Sequence, residues 1–194
     1  MESLNFFEET QRYLFKIQYF LHGTNKVPIK VKLERVLSIG QIETVVRMAN
    51  EIWTEHYTSI IGKSQVEYML SNFQSKDIIK NVMSNKSVHY YLIYSTNKII
   101  GYAGLNIEES QLFLSKIYIL SCERGKGIGN KSIELIKEIA LTNNLKVIYL
   151  TVNKMNVKTI ATYQNMGFKI TEEISADIGE GYLMDDFKME LKLK

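Results

Sequence analysis

Arg124, Gly125, Gly127 and Gly129 stand together in the stretch SCERGKGIGNKS, Ser121 to Ser132, and their types and spacing suit the binding of a multiply charged anion. Glycine in or beside regular structure costs roughly 0.5–1 kcal/mol relative to alanine, so three at alternating positions mark main chain that another molecule approaches. The stretch follows an apolar β-like run, QLFLSKIYIL, and precedes a helical one. A strand, a glycine loop and a helix bring free N–H groups and the positive end of the helix dipole to one place. Arg124 and Lys126 add charge there, either to a ligand or to solvent.

Three phosphate-binding patterns compete for this loop. The dinucleotide fingerprint G-x-G-x-x-G fails because the third position is Asn130, and because the preceding strand closes an antiparallel series instead of a parallel βαβ unit. A nucleoside-triphosphate loop, G-x-x-x-x-G-K-S, fails at the same Asn130 and has no partner strand offering a carboxylate to magnesium. The third pattern, R-x-x-G-x-G from Arg124 through Gly127 to Gly129, is met in full. Such a loop exposes successive amides that can satisfy anionic oxygens through charge-assisted N–H bonds, roughly twice as strong as neutral ones, without a metal. His22, His56 and His89 have no ligand spacing and no accompanying cysteine cluster, so no metal is expected.

The elements that must position the loop follow from periodicity. IKVKLERVL alternates as a strand, and Ser38 precedes a helical run through Ile42, Val45, Met48, Ala49 and Trp53. Further helices are expected from Gln65 to Phe73 and from Lys76 to Met83, followed by an antiparallel meander of VHYYLIYS, KIIGYAGLNI and QLFLSKIYIL. Ile128, Ile133, Ile136 and Ala140 share a helical face after the loop. KVIYLTV is a strand, Asn156 can cap a short helix ending at Gly167, and FKIT and YLMDDFKMELKL close the chain as two strands. This order predicts an α/β fold, a mixed sheet with helices on its faces. Pro28, the single proline, marks the boundary between an N-terminal arm, 1–28, expected to be helical, and a main domain, 29–194.

Composition narrows the partners. The 194 residues suit one domain with an appendage, and a net charge of +3 is too small for a nucleic-acid-binding face. No run approaches the ~20 apolar residues of a membrane helix, and Glu8, Glu9, Arg12 and Lys16 interrupt the first segment, so a cytoplasmic protein is expected. A single cysteine, Cys122, excludes an internal disulfide and is expected to pack in the interior.

Two separated signatures resemble the GNAT superfamily of N-acetyltransferases over Ile29 to Lys194. KIYILSCERGKGIG is similar to the family's fourth strand and pyrophosphate loop, and VNKMNVKTIATYQNMGFK to its asparagine, tyrosine and Gly-Phe signature. The resemblance implies a mostly antiparallel twisted sheet of seven strands with a splayed pair holding acetyl-CoA, and direct transfer of the acetyl group to a primary amine. It assigns the pyrophosphate to Arg124, Gly125, Lys126, Gly127, Ile128 and Gly129, and the pantetheine arm to Ile117, Tyr118, Ile119 and Asn156, with Asn153 as a second candidate. Tyr163 takes the place of the general acid, and a phenol of ordinary pKa near 10 keeps its proton at neutral pH.

The fourth strand lacks the glutamate that serves many relatives as base. Glu55, His56, Tyr57, Glu108, Asp185 and Asp186 remain candidates, alone or through water. A looser similarity to bacterial polyamine acetyltransferases implies a small amine acceptor, with Trp53, Tyr57, Tyr68 and Phe73 offering aromatic faces and Glu51, Glu55, Asp185 and Asp186 offering charge. The alternatives are a peptide N-terminus as acceptor and a noncatalytic acyl-CoA-binding module. The arm before Pro28 and the edge of the last strand are candidate surfaces for a homodimer.

Overall fold

The computed structural model describes residues 29–193; the helix expected in the arm lies outside them. Seven strands form one sheet in the order β1-β2-β3-β4-β5-β7-β6. They are β1 (Val31–Arg35), β2 (Val88–Ser95), β3 (Lys98–Ile107), β4 (Gln111–Ile119), β5 (Val147–Asn153), β6 (Lys169–Gly179) and β7 (Tyr182–Lys192). Five helices accompany them: α1 (Ile39–Ile61), α2 (Lys63–Phe73), α3 (Lys76–Val82), α4 (Ile128–Thr142) and α5 (Val157–Asn165). Every pairing is antiparallel except β4 with β5. The mixed α/β sheet expected from the sequence is therefore present.

Local chemistry explains the joints. Ser38 and Gln41 form a reciprocal capping box that starts α1. The β2–β3 hairpin turns through Thr96 and Asn97, both at positive φ, a two-residue turn whose twist matches that of the strands. Adjacent side chains of β4 show that helices cover both faces: Tyr118 lies against Trp53 of α1, while a Cβ at Gly129 of α4 would meet Ile119. Val45, Ile52, Ile79, Leu92 and Tyr102 fill the core on the α1–α3 side. Ile133 and Ile136 of α4, Ile148 of β5 and Phe168 are also buried.

One irregularity matters for the site. The β3–β4 register slips between Gly104 and Leu105, so that Ser115 is an extra residue in β4, a bulge whose hydroxyl donates to Gly104 O at 3.0 Å. A bulge bends its strand and increases its twist. On the other side of β4, pairing with β5 stops at Phe113 and Tyr149, although the strands continue to Ile119 and Asn153. A wedge-shaped gap therefore opens in the middle of the sheet.

Two sequence expectations need correction. The strand beginning at FKIT does not stop there: β6 runs to Gly179 and pairs along β7. Most of its side chains are exposed, so no alternation of apolar residues marks its length. Cys122 is exposed in a short 3₁₀ turn (Ser121–Glu123), not packed in the core.

A Cβ at Gly104 would stand 2.9 Å from Ser115 Oγ, inside contact distance. Gly104→Val is expected to lower stability by about 1–3 kcal/mol through overpacking at the bulge, measured as a shift in the urea midpoint.

Candidate active site

The glycine loop leaves β4 and becomes the first turn of α4. Gly127 occupies the N-cap position at φ +79, a left-handed conformation natural to glycine, and no side chain caps the helix. The first internal bond of this turn runs from Lys131 N to Gly127 O. The amides of Gly125, Lys126, Gly127, Ile128, Gly129 and Asn130 have no acceptor among the described residues. Six main-chain donors around a helix N-terminus form a cradle for an anion with several oxygens.

The two cations of the loop behave differently. Arg124 Nε donates to Ile119 O at 2.9 Å and ties the loop to the end of β4. Lys126 pairs with Glu123 at 2.9 Å, both partly open to solvent, so this bridge contributes little to stability.

The gap between β4 and β5 joins two cavities. A cavity of about 370 Å³ lies on the α4–α5 side, lined by the loop, Ile117, Ile119 and Tyr163. A larger one of about 830 Å³ reaches to the α1–α2 side, lined by His56, Tyr57, Lys116, Tyr118 and Asp186, and shares Ile117, Ile119 and Tyr163 with the first. Leu120 N bonds Ile100 O, and antiparallel alternation then directs the peptide groups of Tyr118 to β3 and those of Ile117 and Ile119 into the gap. These two residues supply main chain to the opening, while Tyr118 supplies its ring.

Tyr163 stands where the cavities meet. Its ring leans on Phe168, with centroids 5.4 Å apart, and its hydroxyl has no hydrogen-bond partner among the described residues. Burial pushes this phenol above its ordinary value, with the Tyr57 phenol adding to the effect. It is protonated throughout the neutral range. Tyr118 is raised by the same desolvation, and its hydroxyl lies 3.5 Å from that of Tyr57.

Asn156 sits at the N-cap position of α5, but its side chain does not cap that helix. Its Nδ2 lies 3.1 Å from His56 Nε2, linking the β5–α5 turn to α1. Burial, then the nearby Arg124 charge, lowers the His56 pKa, so the ring is neutral and accepts this bond at Nε2.

Of the candidate bases, only His56, Tyr57 and Asp186 line the larger cavity. Glu108 is held by Tyr149 and Gln111, Asp185 is paired with Lys154, and Glu55 is exposed. Asp186 is 5% exposed, its Oδ1 has no partner, and burial raises its pKa. Among the proposed aromatic faces, Trp53 and Tyr57 edge against Tyr118, whereas the Tyr68 hydroxyl is committed to Ile178 O at 2.6 Å. Lys116 escaped the sequence reading. A lysine between Ser115 and Ile117 in a central apolar strand was the available signal.

The profile of the Acetyltransferase (GNAT) family matches residues 46–168, which contain both the loop and Tyr163. The chain belongs to the GNAT family. GNAT enzymes use acetyl-CoA, and the chain is an acetyl-CoA-dependent N-acetyltransferase. A spermidine N(1)-acetyltransferase of Thermoplasma acidophilum is 24% identical over 147 residues, 74% of this chain and 91% of the relative. A thialysine N-epsilon-acetyltransferase of mouse is 33% identical over 101 residues, 52% of this chain and 51% of the relative. The fold recurs in a T. acidophilum N-acetyltransferase solved with coenzyme A, at TM-score 0.70 and 23% identity over 84% of this chain and 99% of that one. It recurs again in a Vibrio cholerae spermidine N-acetyltransferase solved with CoA and spermine, at TM-score 0.63 and 19% identity over 84% and 95%. Among the described residues of this GNAT chain no helix is long and apolar enough to cross a membrane, and no group of three or more His, Cys, Asp or Glu is placed to hold a metal.

The unpartnered amides and the gap suit the diphosphate and arm of acetyl-CoA. At Gly127 a Cβ would meet nothing within 4 Å, so the cost of a side chain there is conformational. Gly127→Ala is expected to lower stability by ~1–2 kcal/mol, the penalty of a left-handed alanine, measured as a shift in the urea midpoint.

Burial lowers Lys116 from 10.5 to about 8. Between these values the unfolded chain binds more protons than the folded one, so this group's contribution to stability rises with pH. Urea midpoints taken from pH 8 to 10 should rise more in the parent protein than in Lys116→Met.

Proposed function

We propose that this GNAT enzyme acetylates a small primary amine by direct attack on the thioester, with Tyr163 as general acid and Asp186 as the group that receives the amine. The observation that carries this reading is the free hydroxyl of Tyr163 at the junction of two cavities, one bordered by unpartnered loop amides and the other by a buried carboxylate.

Acetyl-CoA supplies an acetyl thioester, whose carbonyl carbon bonds to the amine while its sulfur departs. The amides of Gly125 to Asn130 hold the diphosphate, with Arg124 fixing the loop and Lys126 adding charge. Main chain of Ile117 and Ile119 aligns the arm beside the Tyr118 ring, and a preset N–H there stabilises negative charge developing on the carbonyl oxygen, a contribution of ~3–4 kcal/mol. Asn156, steadied by His56, offers its remaining amide capacity to the arm. Asp186 attracts the acceptor's ammonium and takes its proton, a task helped by the raised pKa of a buried carboxylate. The carbon–nitrogen bond forms first, the carbon–sulfur bond then breaks as Tyr163 Oη gives its proton to the departing sulfur, and the extra proton left on the new amide nitrogen returns to the Tyr163 phenolate, which restores the phenol.

The names of the T. acidophilum and V. cholerae relatives support a second, narrower reading, in which the acceptor is spermidine or spermine.

Tyr163→Phe is expected to lower turnover about 10²-fold or more, as loss of a general acid does, and to leave acetyl-CoA affinity within a factor of two or so. CoA release and calorimetry measure the two separately. Parental turnover in this variant would remove Tyr163 from the chemistry, and absence of turnover from the parent with every amine would favour a noncatalytic acyl-CoA-binding module.

A further inference from the structure

Beyond Asp186 the wall of the larger cavity has a composition that the reaction above leaves without a task. Tyr182, Met184 and Asp186 alternate onto one face of β7. That face looks toward α1 and α2: the Tyr182 ring lies 5.1 Å from that of Tyr68 on α2, and burial first and then the Asp186 charge raise the pKa of the Tyr57 phenol on α1. β5 ends opposite Asp186, at Asn153, so Met184 lies past it toward the β6–β7 turn. There it shares the cavity lining with Ile178 of β6, Ile61 at the end of α1, and Met69 and Phe73, one turn apart on α2. All five side chains are apolar.

This wall is held in place from outside the cavity. Tyr68 Oη donates to Ile178 O at 2.6 Å and Gln65 Nε2 to Leu183 O at 3.0 Å, tying α2 to the hairpin of β6 and β7. Tyr68 also meets Phe73 edge to face, with centroids 6.0 Å apart, and leaves no room for a Cβ at Gly179. Asp186 is the single carboxylate among the described residues lining the cavity; Glu51, Glu55 and Asp185 do not reach it. A second ammonium several carbons from the first would lie against methionine and isoleucine, losing water without gaining a counter-ion.

We infer that the preferred acceptor is a primary monoamine with an apolar hydrocarbon body, its amine at Asp186 and its body along Ile61, Met69, Phe73, Ile178 and Met184. This inference rests on the acetyltransferase reading given above. One carboxylate matches one ammonium, and the flexible thioethers of Met69 and Met184 pack against hydrocarbon of varied shape.

The test compares propylamine, butylamine, pentylamine and hexylamine, with cadaverine and spermidine alongside, each scored by CoA release. The four alkylamines titrate alike, so a trend in kcat/KM among them reports the wall and not basicity. It should rise about threefold with each added methylene, the value of burying one such group. Pentylamine should exceed cadaverine, its equal in length, by about tenfold or more. Phe73 is exposed, so Phe73→Ala spares the core and should flatten the rise. Met184→Glu sets a second carboxylate on the face of Asp186 and should raise cadaverine relative to pentylamine. Preference of the parent for cadaverine or spermidine, or a flat alkyl series, overturns the assignment while leaving the acetyltransferase reading intact. So does an unchanged rise in Phe73→Ala joined to an unchanged cadaverine-to-pentylamine ratio in Met184→Glu. Failure to acetylate any of the six amines overturns both. If Met184→Glu does not fold, Phe73→Ala and the parent's own ranking of the acceptors decide.

Discussion

The structure depends on one interruption of hydrogen bonding. β4 and β5 begin as a parallel pair and separate after Phe113 and Tyr149, leaving main chain of Ile117 and Ile119 without a strand partner. Unpaired peptide groups inside a sheet are costly unless something else satisfies them. The bulge at Ser115 bends β4 away, and the Ser115 hydroxyl bonded to Gly104 O secures that bend. The same gap that weakens the sheet connects a face bearing phosphate-type donors to a face bearing Asp186.

Burial gives the groups around this gap their chemical character. Tyr163, Tyr57 and Tyr118 are all pushed toward the neutral phenol by desolvation, so the opening is rich in protons that do not leave at neutral pH. Asp186 is pushed the same way, toward its neutral form, which makes its carboxylate a better proton acceptor than a solvated one. A donor on one side and an acceptor on the other is the arrangement that acyl transfer to an amine requires. His56, neutral and bonded to Asn156, serves the geometry of the opening more than its charge.

Much of this was legible in the amino-acid sequence, for physical reasons that differ between elements. The meander shows because period-two alternation survives where one face is buried, and the loop shows because glycine at Gly125 and Gly127 carries the positive φ that other residues resist. Asn156 was legible as a helix start but not as a partner of His56, a contact across 100 positions. β6 was read too short because TEEISADIG is exposed on an edge and carries no buried stripe. Cys122 was misplaced because cysteine's usual preference for the interior gave way to the short turn that launches the loop. The bulge has no local sequence mark: LFLSKIYIL reads as one continuous strand, so the slip at Ser115 and the side to which Lys116 turns emerge only from the register with β3.

Amide hydrogen exchange in the presence and absence of acetyl-CoA tests the central claim most directly, since it reports on individual N–H groups of the intact chain. Occupied donors should exchange slowly. Protection is expected at Gly125 through Asn130 and at Ile117 or Ile119, with little change along β1 and β2. Saturating acetyl-CoA that left these amides exchanging at their free rates, or protected a different surface, would contradict the account.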